Sequence, residues 1–556
     1  MMESSYNRPA KQPPWCRFKH AAMGIASAAL LILVLRLPFL CNQTLRAGIE
    51  TSQTHSVTGT GRTINVPPGG DFQAALNAAN PGDTIILQSG AAYIGNYKLP
   101  NKSGDSYVTV TTSALTSLPP EDQRISPADS RYLPKLVAAP GDAVLIAANS
   151  AHHYRFVGME CTPAPTAEMT YDIVKVGLGT EKEVNTLPHD IIFDRVYIHG
   201  NPGQQVRRGI SLNGISITVE NSYISDIKGL GQDTQAIEGW NGPGPFKILN
   251  NYLEAAGENI MFGGAKASIP NLVPSDIEVR HNYFSKPLSW RKEDPSYAGA
   301  PWTVKNLFEL KNAQRVAVDG NVMENSWTMA QTGFAVLFTP RAEEGRMPWA
   351  VVQDVTFTRN LIRHVASGFT ILGVDDTDKT TKGVVRLHRV LIRNNLLVDV
   401  SGTTWTGHGE LFGLYGGPDE ITIDHNTGFE DGFVALADGK PTTNLRFTNN
   451  ITLRGRYGFV GSGTAEGSAS LAKFAPGSLF SKNAIIGGDS SLYPAGNYFP
   501  ASPRIVGFAD YSEGKYQLGM SSRYREAGTD GKDLGADIHA VEAVIAGVLK
   551  ADRYSQ

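Results

Sequence analysis

The segment WTVKNLFELKN, residues 302–312, sets an acid and a lysine two positions apart in an apolar stretch: Glu309 and Lys311. Strand side chains alternate between faces, so Leu307, Glu309 and Lys311 fall on one side and Phe308 and Leu310 on the other. Downstream, GFAVLFTPR (333–341) gives Phe334, Val336 and Phe338 an inward parity and Arg341 an outward one. Upstream, AIEGW carries Glu238, and GENIMFGG carries Glu258 and Asn259. These residue types suit proton abstraction next to a carboxylate. A lysine beside an arginine and a metal ion releases its proton more easily and can serve as a base. An arginine or a cation neutralises the carboxylate as charge builds. Calcium takes carboxylate and amide oxygens, which Glu258, Asn259 and Glu309 offer. The plain alternative is a surface ion pair between Glu309 and Lys311.

Two other constellations compete. Paired carboxylates facing a cleft would hydrolyse a glycosidic bond, and Asp233, Glu238, Glu258, Glu309 and Glu324 are the candidates. TGHGE (406–410), with Asp375 and Asp376 upstream, adds a Gly-His-Gly turn to that reading. Five of the seven tryptophans fall between positions 240 and 349. Aromatic faces pack against sugar rings and against each other, so Trp290 and Trp327, with Arg291, Lys305 and Gln331, are expected to line a binding surface. Residues 286–315 hold six basic groups (Lys286, Arg291, Lys292, Lys305, Lys311, Arg315) against three acidic ones, which favours an acidic ligand.

The elements that must position these groups form a repeat. Short strands ending in asparagine recur as ITVENSYI, KILNNYLE, IEVRHNYF, VAVDGNVM, VTFTRNLI, VLIRNNLL, ITIDHNTG and LRFTNNIT. The shared residues are Asn221, Asn251, Asn282, Asn321, Asn360, Asn395, Asn426 and Asn450, spaced by 24 to 39 residues. Units of this size cannot close a core alone, but stacked coils can. The apolar period is two and β-branched residues dominate, so the coils are β, not helical. Asparagine at a fixed corner tolerates left-handed φ, and its amide can bond to the asparagine of the next coil. The ends read as caps: an amphipathic helix, turn and strand over 71–88, with Phe72, Leu76 and Ala79 on one face, and a helix over 536–551. Long insertions at 263–275, 341–353, 373–387 and 285–302 are expected to project around a cleft. His281 and His425 read as corner residues, and His152 and His153 lie away from that cleft.

This pattern of helical opening and asparagine-ended coils resembles the pectin-lyase-like right-handed parallel β-helix superfamily over most of residues 62–540. Within it, GENIMFGG, FELKN and LFTPR are similar to the successive coils of alginate-lyase and chondroitinase-B-like lyases. That resemblance implies Lys311 as Brønsted base, Arg341 as acid or charge stabiliser, and Glu258, Asn259 and Glu309 as Ca²⁺ ligands. Two features depart from the pattern: Asn312 stands where those lyases have a serine, and PRAEE replaces their Arg-His-Gly turn. The expectation is a polysaccharide-degrading enzyme, a lyase acting on an acidic uronate polymer. A glycoside hydrolase or a non-catalytic carbohydrate-binding β-helix on the same fold are the alternatives, and an epimerase would share the proton abstraction.

The expected layout is a signal peptide or signal-anchor over 1–47, a linker over 48–61, the solenoid over 62–540 and a tail over 541–556. Basic residues precede AAMGIASAALLILVLRLPFL, which implies export, and Arg36 weakens that run as a membrane span. Loss of the segment would leave only Cys161 of three cysteines, so no disulfide framework is expected. A formal net charge of −3 without a basic tail argues against a nucleic-acid partner. A monomer is expected.

Overall fold

The computed structural model describes residues 61–375 and 385–549. The expected signal segment, most of the linker and the end of the tail lie outside them. Three all-parallel sheets of 14, 12 and 13 strands are formed between Thr63 and Ile486. Each coil visits the 14-stranded, then the 13-stranded, then the 12-stranded sheet, as in His189–Asp194, Tyr197–His199 and Gln205–Leu212. This is a right-handed parallel β-helix. Inward residues of neighbouring coils stack into a continuous core, for example Phe156 on Phe193 and Phe369 on Phe412, with ring centroids 5.5 and 5.6 Å apart.

The helix Phe72–Ala78 covers the first coil as expected. Asp71 caps it by accepting from Ala74 N at 2.8 Å, and Phe72, Ala75 and Leu76 enter the core. The C-terminal helix behaves differently. Ile538–Ile545 does not close the other end. It lies along the flank of the 13-stranded sheet, where Ile538 and Val541 share an apolar layer with Tyr252, Val322 and Leu361. His281 Nε2 meets Ala546 O at 3.0 Å in this strap.

The asparagines form the expected ladder, with one shift. Nδ2 of Asn251, Asn282, Asn321, Asn360, Asn395, Asn426 and Asn450 each donates to the Oδ1 of the next at 2.9–3.1 Å, and Asn483 and Asn497 extend the file. The left-handed residue is not the ladder asparagine but the one before it: Asn250, His281, Gly320, Arg359, Asn394, His425 and Asn449. Asn221 belongs to this second set (φ 53°), and Ser222 takes the ladder position by donating its N–H to Asn251 Oδ1. Ladder amides need a fixed, extended backbone, so the turn is made one residue earlier.

A second local rule sets the site. On the 12-stranded sheet each coil turns two consecutive residues inward before alternation resumes: Ala236 and Ile237, Leu307 and Phe308, Ala335 and Val336 all sit in the core. At this step Asn259 N and Ile260 N both donate to Leu307 O, at 3.2 and 3.3 Å. Leu307 therefore does not share a face with Glu309 and Lys311.

Candidate functional site

The doubled inward step fixes what faces outward. Gln235 and Glu238, Glu258 and Met261, Asn306 and Glu309 come from three successive coils, with Gln235 paired to Glu258 and Met261 to Glu309 in the ladders. Lys311 follows Glu309 on the same face, and Thr339 and Arg341 follow on the next coil, where Arg341 N donates to Lys311 O at 3.0 Å. Gly263 allows this crowding. Its φ is +90°, and a Cβ there would stand 2.6 Å from Asn312 N and 3.0 Å from Lys311 Cβ.

The insertions border this sheet at both edges. Loops 263–274 and 339–351 pack on each other through Ala267, Ile269, Leu272, Met347 and Ala350. On the other edge Trp290, Trp302, Trp327 and Trp405 form a buried cluster with Val304. Trp290 and Trp327 are 6% and 3% exposed, so they build a wall and offer no open ring to a ligand. Arg291 is bound into that wall, its guanidinium 4.6 Å from the Trp405 ring and donating to Thr404 O.

Charges on the floor are buried and interlocked. Lys311 Nζ lies 3.6 Å from Glu309 Oε1. Glu309 also accepts from Asn306 Nδ2 at 2.9 Å and Thr339 Oγ1 at 3.2 Å. Asn306 donates to Gln331 Oε1 as well, at 3.1 Å. Lys305 bridges Asp233 at 2.5 Å and Glu258 at 3.6 Å. Gln235 Nε2 donates to Glu258 Oε2 at 2.7 Å. At the rim Arg341 is held by Asp375 Oδ2 at 2.8 Å. Three oxygens here accept no hydrogen bond: Glu258 Oε1, Asn306 Oδ1 and Gln235 Oε1.

Burial, then the nearby charge of Glu309, pushes the Glu258 carboxyl up to about 7 against the pull of Lys305. Burial works against the Lys311 ammonium, but Glu309 and Glu258 outweigh it and hold the group above the ordinary lysine range. Burial also raises Glu238, although Arg208 binds it directly. Arg208 in turn lies 3.5 Å from Asp172 and 4.8 Å from the Trp240 ring. Arg208, Asp172 and Trp240 line a cavity of about 490 Å³ with Tyr171, Lys175 and Ser211.

The structure thus brings together Glu258, Glu309, Lys311, Lys305, Asp233, Gln331 and Arg341. It separates others. Asn259 is one of the two inward residues, and its amide is spent in the interior: Nδ2 donates to Leu253 O (2.6 Å) and Ser285 O (3.0 Å), and Oδ1 accepts from Lys286 Nζ (3.0 Å). It has no oxygen to give a cation beside Glu258. Glu324 lies on the 13-stranded sheet, bound to Arg363 at 2.5 Å and to Tyr283 Oη. The basic excess over 286–315 also dissolves. Lys286 is fully buried among Ala255 O, Ala256 O, Gly257 O and Asn259 Oδ1 at 2.7–3.0 Å, and Arg315 pairs with Asp276 on the 14-stranded sheet. His408 of the Gly-His-Gly turn caps Glu410 at 2.8 Å. Asn306, Gln235 and Thr339 were not expected. Asn306 stands three residues before Glu309, and only the doubled inward step, which no residue type announces, turns it to the same side.

A hard cation fits this set in part. Glu258 Oε1, 3.6 Å from Lys305 Nζ, and Asn306 Oδ1 accept no hydrogen bond, and the mutual repulsion of Glu258 and Glu309 favours a positive ion. No third acidic or imidazole group completes a trio with them within 4.8 Å among the described residues.

Comparison with solved structures bears on the fold. The PL6 family alginate lyase AlyGC superposes with a TM-score of 0.50 at 14% identity, over 85% of this chain and 58% of that one. The chain thus spans less than two thirds of that lyase. The catalytic unit of a thermostable GH87 alpha-1,3-glucanase from Streptomyces thermodiastaticus strain HF3-3 superposes equally well, at 13% identity, over 81% of this chain and 72% of its own. The shared fold is the parallel β-helix. No protein-family model matches the sequence, and no curated protein matches it.

Proposed function

We propose that this β-helix degrades a uronate-containing polysaccharide by β-elimination on the outward face of its 12-stranded sheet. The observation that carries the reading is the convergence of Lys311 and Arg341 from consecutive coils onto one floor with Glu258 and Glu309. Polysaccharides are also what the two superposed enzymes are named for. Lys311 takes the proton from the carbon beside the uronate carboxylate. Arg341, at the rim with its side chain 42% exposed, meets that carboxylate or the leaving oxygen. Calcium would be held by Glu258, Glu309 and the Asn306 amide oxygen, with Asn306 in the place expected of Asn259. Bound there, it would neutralise the substrate carboxylate and screen the two acids from Lys311, which they otherwise keep protonated. The protein is read as an exported monomer.

One observation favours hydrolysis instead. Glu258 holds its proton to about 7 beside Glu309, the division of roles that an acid and a base or nucleophile need. Incubation of the protein with alginate, pectate, glucuronan and chondroitin, with calcium and with chelator, separates the two. Ultraviolet absorbance from an unsaturated uronide is the expected outcome. New reducing ends without that absorbance would transfer the chemistry to Glu258 and Glu309, and neither signal on any polymer would overturn both readings.

A further inference from the structure

A second cluster of chemistry-bearing groups sits far from this floor. The strands His152–Val157 and His189–Asp194 are neighbours in the 14-stranded sheet, and His189 is in register with His152. His153 and Asp190 both have left-handed φ, 55° and 52°. In an extended strand consecutive side chains point to opposite faces. Here the left-handed residue folds two consecutive side chains toward each other, so His152 Nδ1 and His153 Nδ1 approach to 2.7 Å. The His152 and His189 rings stack at 4.5 Å with an interplanar angle of 4°. Ligand nitrogens of all three imidazoles lie within 4.8 Å of one another, the one such trio among the described residues.

We propose that His152, His153 and His189 form a binding site for a divalent transition-metal ion, with Zn²⁺ the best match and Asp190 as the supporting carboxylate. Imidazole is the ligand for zinc, copper and nickel, and a poor one for calcium or magnesium. Two ring nitrogens at 2.7 Å require a proton or a cation between them. Around a tetrahedral ion at about 2.0–2.1 Å from each nitrogen the pair would open to roughly 3.3 Å, a small ring rotation. His189 Nδ1 is already engaged by Asp190 Oδ2 at 2.7 Å, which leaves Nε2 for the metal in the usual carboxylate–histidine arrangement. The Asp190 carboxylate also lies 4.0 Å from His153 Nε2, close enough to interact by charge but not to hydrogen-bond. The His153 and His189 side chains are 17% and 33% exposed, so an ion can enter from solvent.

The site lies on the 14-stranded sheet, whereas the proposed catalytic floor lies on the 12-stranded sheet, in later coils. It is independent of the lyase reading. It joins two neighbouring coils through side chains, so its effect is expected on stability and metal content.

The test uses the full chain stripped of metal by chelator. Zn²⁺ is titrated by calorimetry, and Co²⁺ is followed by its visible spectrum. The expected result is one equivalent of Zn²⁺, a tetrahedral Co²⁺ band that Zn²⁺ abolishes and excess Ca²⁺ does not, and a melting temperature that rises with Zn²⁺. His189→Gln and His153→Ala should each weaken Zn²⁺ binding at least 100-fold, and Asp190→Asn about 10-fold. Using two ligand variants guards against one that fails to fold, and circular dichroism of the metal-free variants checks each. Absence of the Co²⁺ band, displacement by Ca²⁺, or undiminished Zn²⁺ binding in the two folded histidine variants would overturn the site.

Discussion

The asparagine corner and the proposed catalytic floor are built from the same coils, yet they treat buried polar atoms in opposite ways. In the corner every ladder amide is satisfied. Asn360 Oδ1 accepts from Asn321 N and Nδ2, both at 2.9 Å, and its Nδ2 donates to Val318 O, Thr358 O and Asn395 Oδ1. On the floor, Glu258 Oε1, Asn306 Oδ1 and Gln235 Oε1 are left without a donor, and two acids are pressed together. Unsatisfied buried groups cost stability, and on the proposed reading a ligand completes those of the floor. The corner holds the fold and the floor is held by it.

The contrast can be broken most sharply at Lys311. Lys311→Ala should lower turnover by about 10³-fold, as expected for loss of a base, while the thermal midpoint stays close to that of the parent protein. A variant that kept its rate would move the chemistry off this floor. Asn360→Leu should do the reverse. It strands two buried N–H groups and at least one carbonyl, at a cost of about 3 kcal/mol in denaturant unfolding, with turnover per folded molecule unchanged.

Glu258→Gln separates the two regions through pH. Glu258 carries its proton to about 7 in the fold against the ordinary glutamate value of 4.5, so between those limits the native state holds a proton that the unfolded chain has released. Stability from this group therefore falls as pH rises through that window. The glutamine variant should show a shallower fall, by on the order of 3 kcal/mol at pH 8. Glu220 and Glu254, also raised to about 7, keep part of the slope in the variant. An unchanged slope would mean that Glu258 is ionised throughout. The smallest effect is expected at Asn306. Asn306→Ala should raise the calcium concentration for half-maximal activity about 10-fold, near 1.4 kcal/mol, whereas Asn259→Ala should lower stability and leave that concentration unchanged.

The repeat was legible because its asparagines and apolar alternation are local signals. Lys311, Glu309 and Glu258 were legible for the same reason. Failures arose where position depends on backbone geometry that no residue type encodes. Two inward residues in a row moved Leu307 and Asn259 into the core and turned Asn306 outward. Parity counted from the sequence cannot see that step. The tryptophans failed for another reason: Trp290 and Trp327 could face sugar or each other, and only the folded insertions decide. Likewise the apolar face of the C-terminal helix says that it packs, but not that it straps the side of the solenoid.

The asparagine file has an electrical sense. Every side-chain amide points its N–H toward the following coil and its carbonyl toward the preceding one, from Asn251 to Asn497. The amide dipoles therefore add head to tail along the axis, and each polarises its neighbours. Cutting the file in its middle separates two long runs, while cutting near Asn483 trims only an end. The same substitution should therefore cost more at Asn360 than at Asn483, and the gradient between them measures how far polarisation travels along the chain of amides.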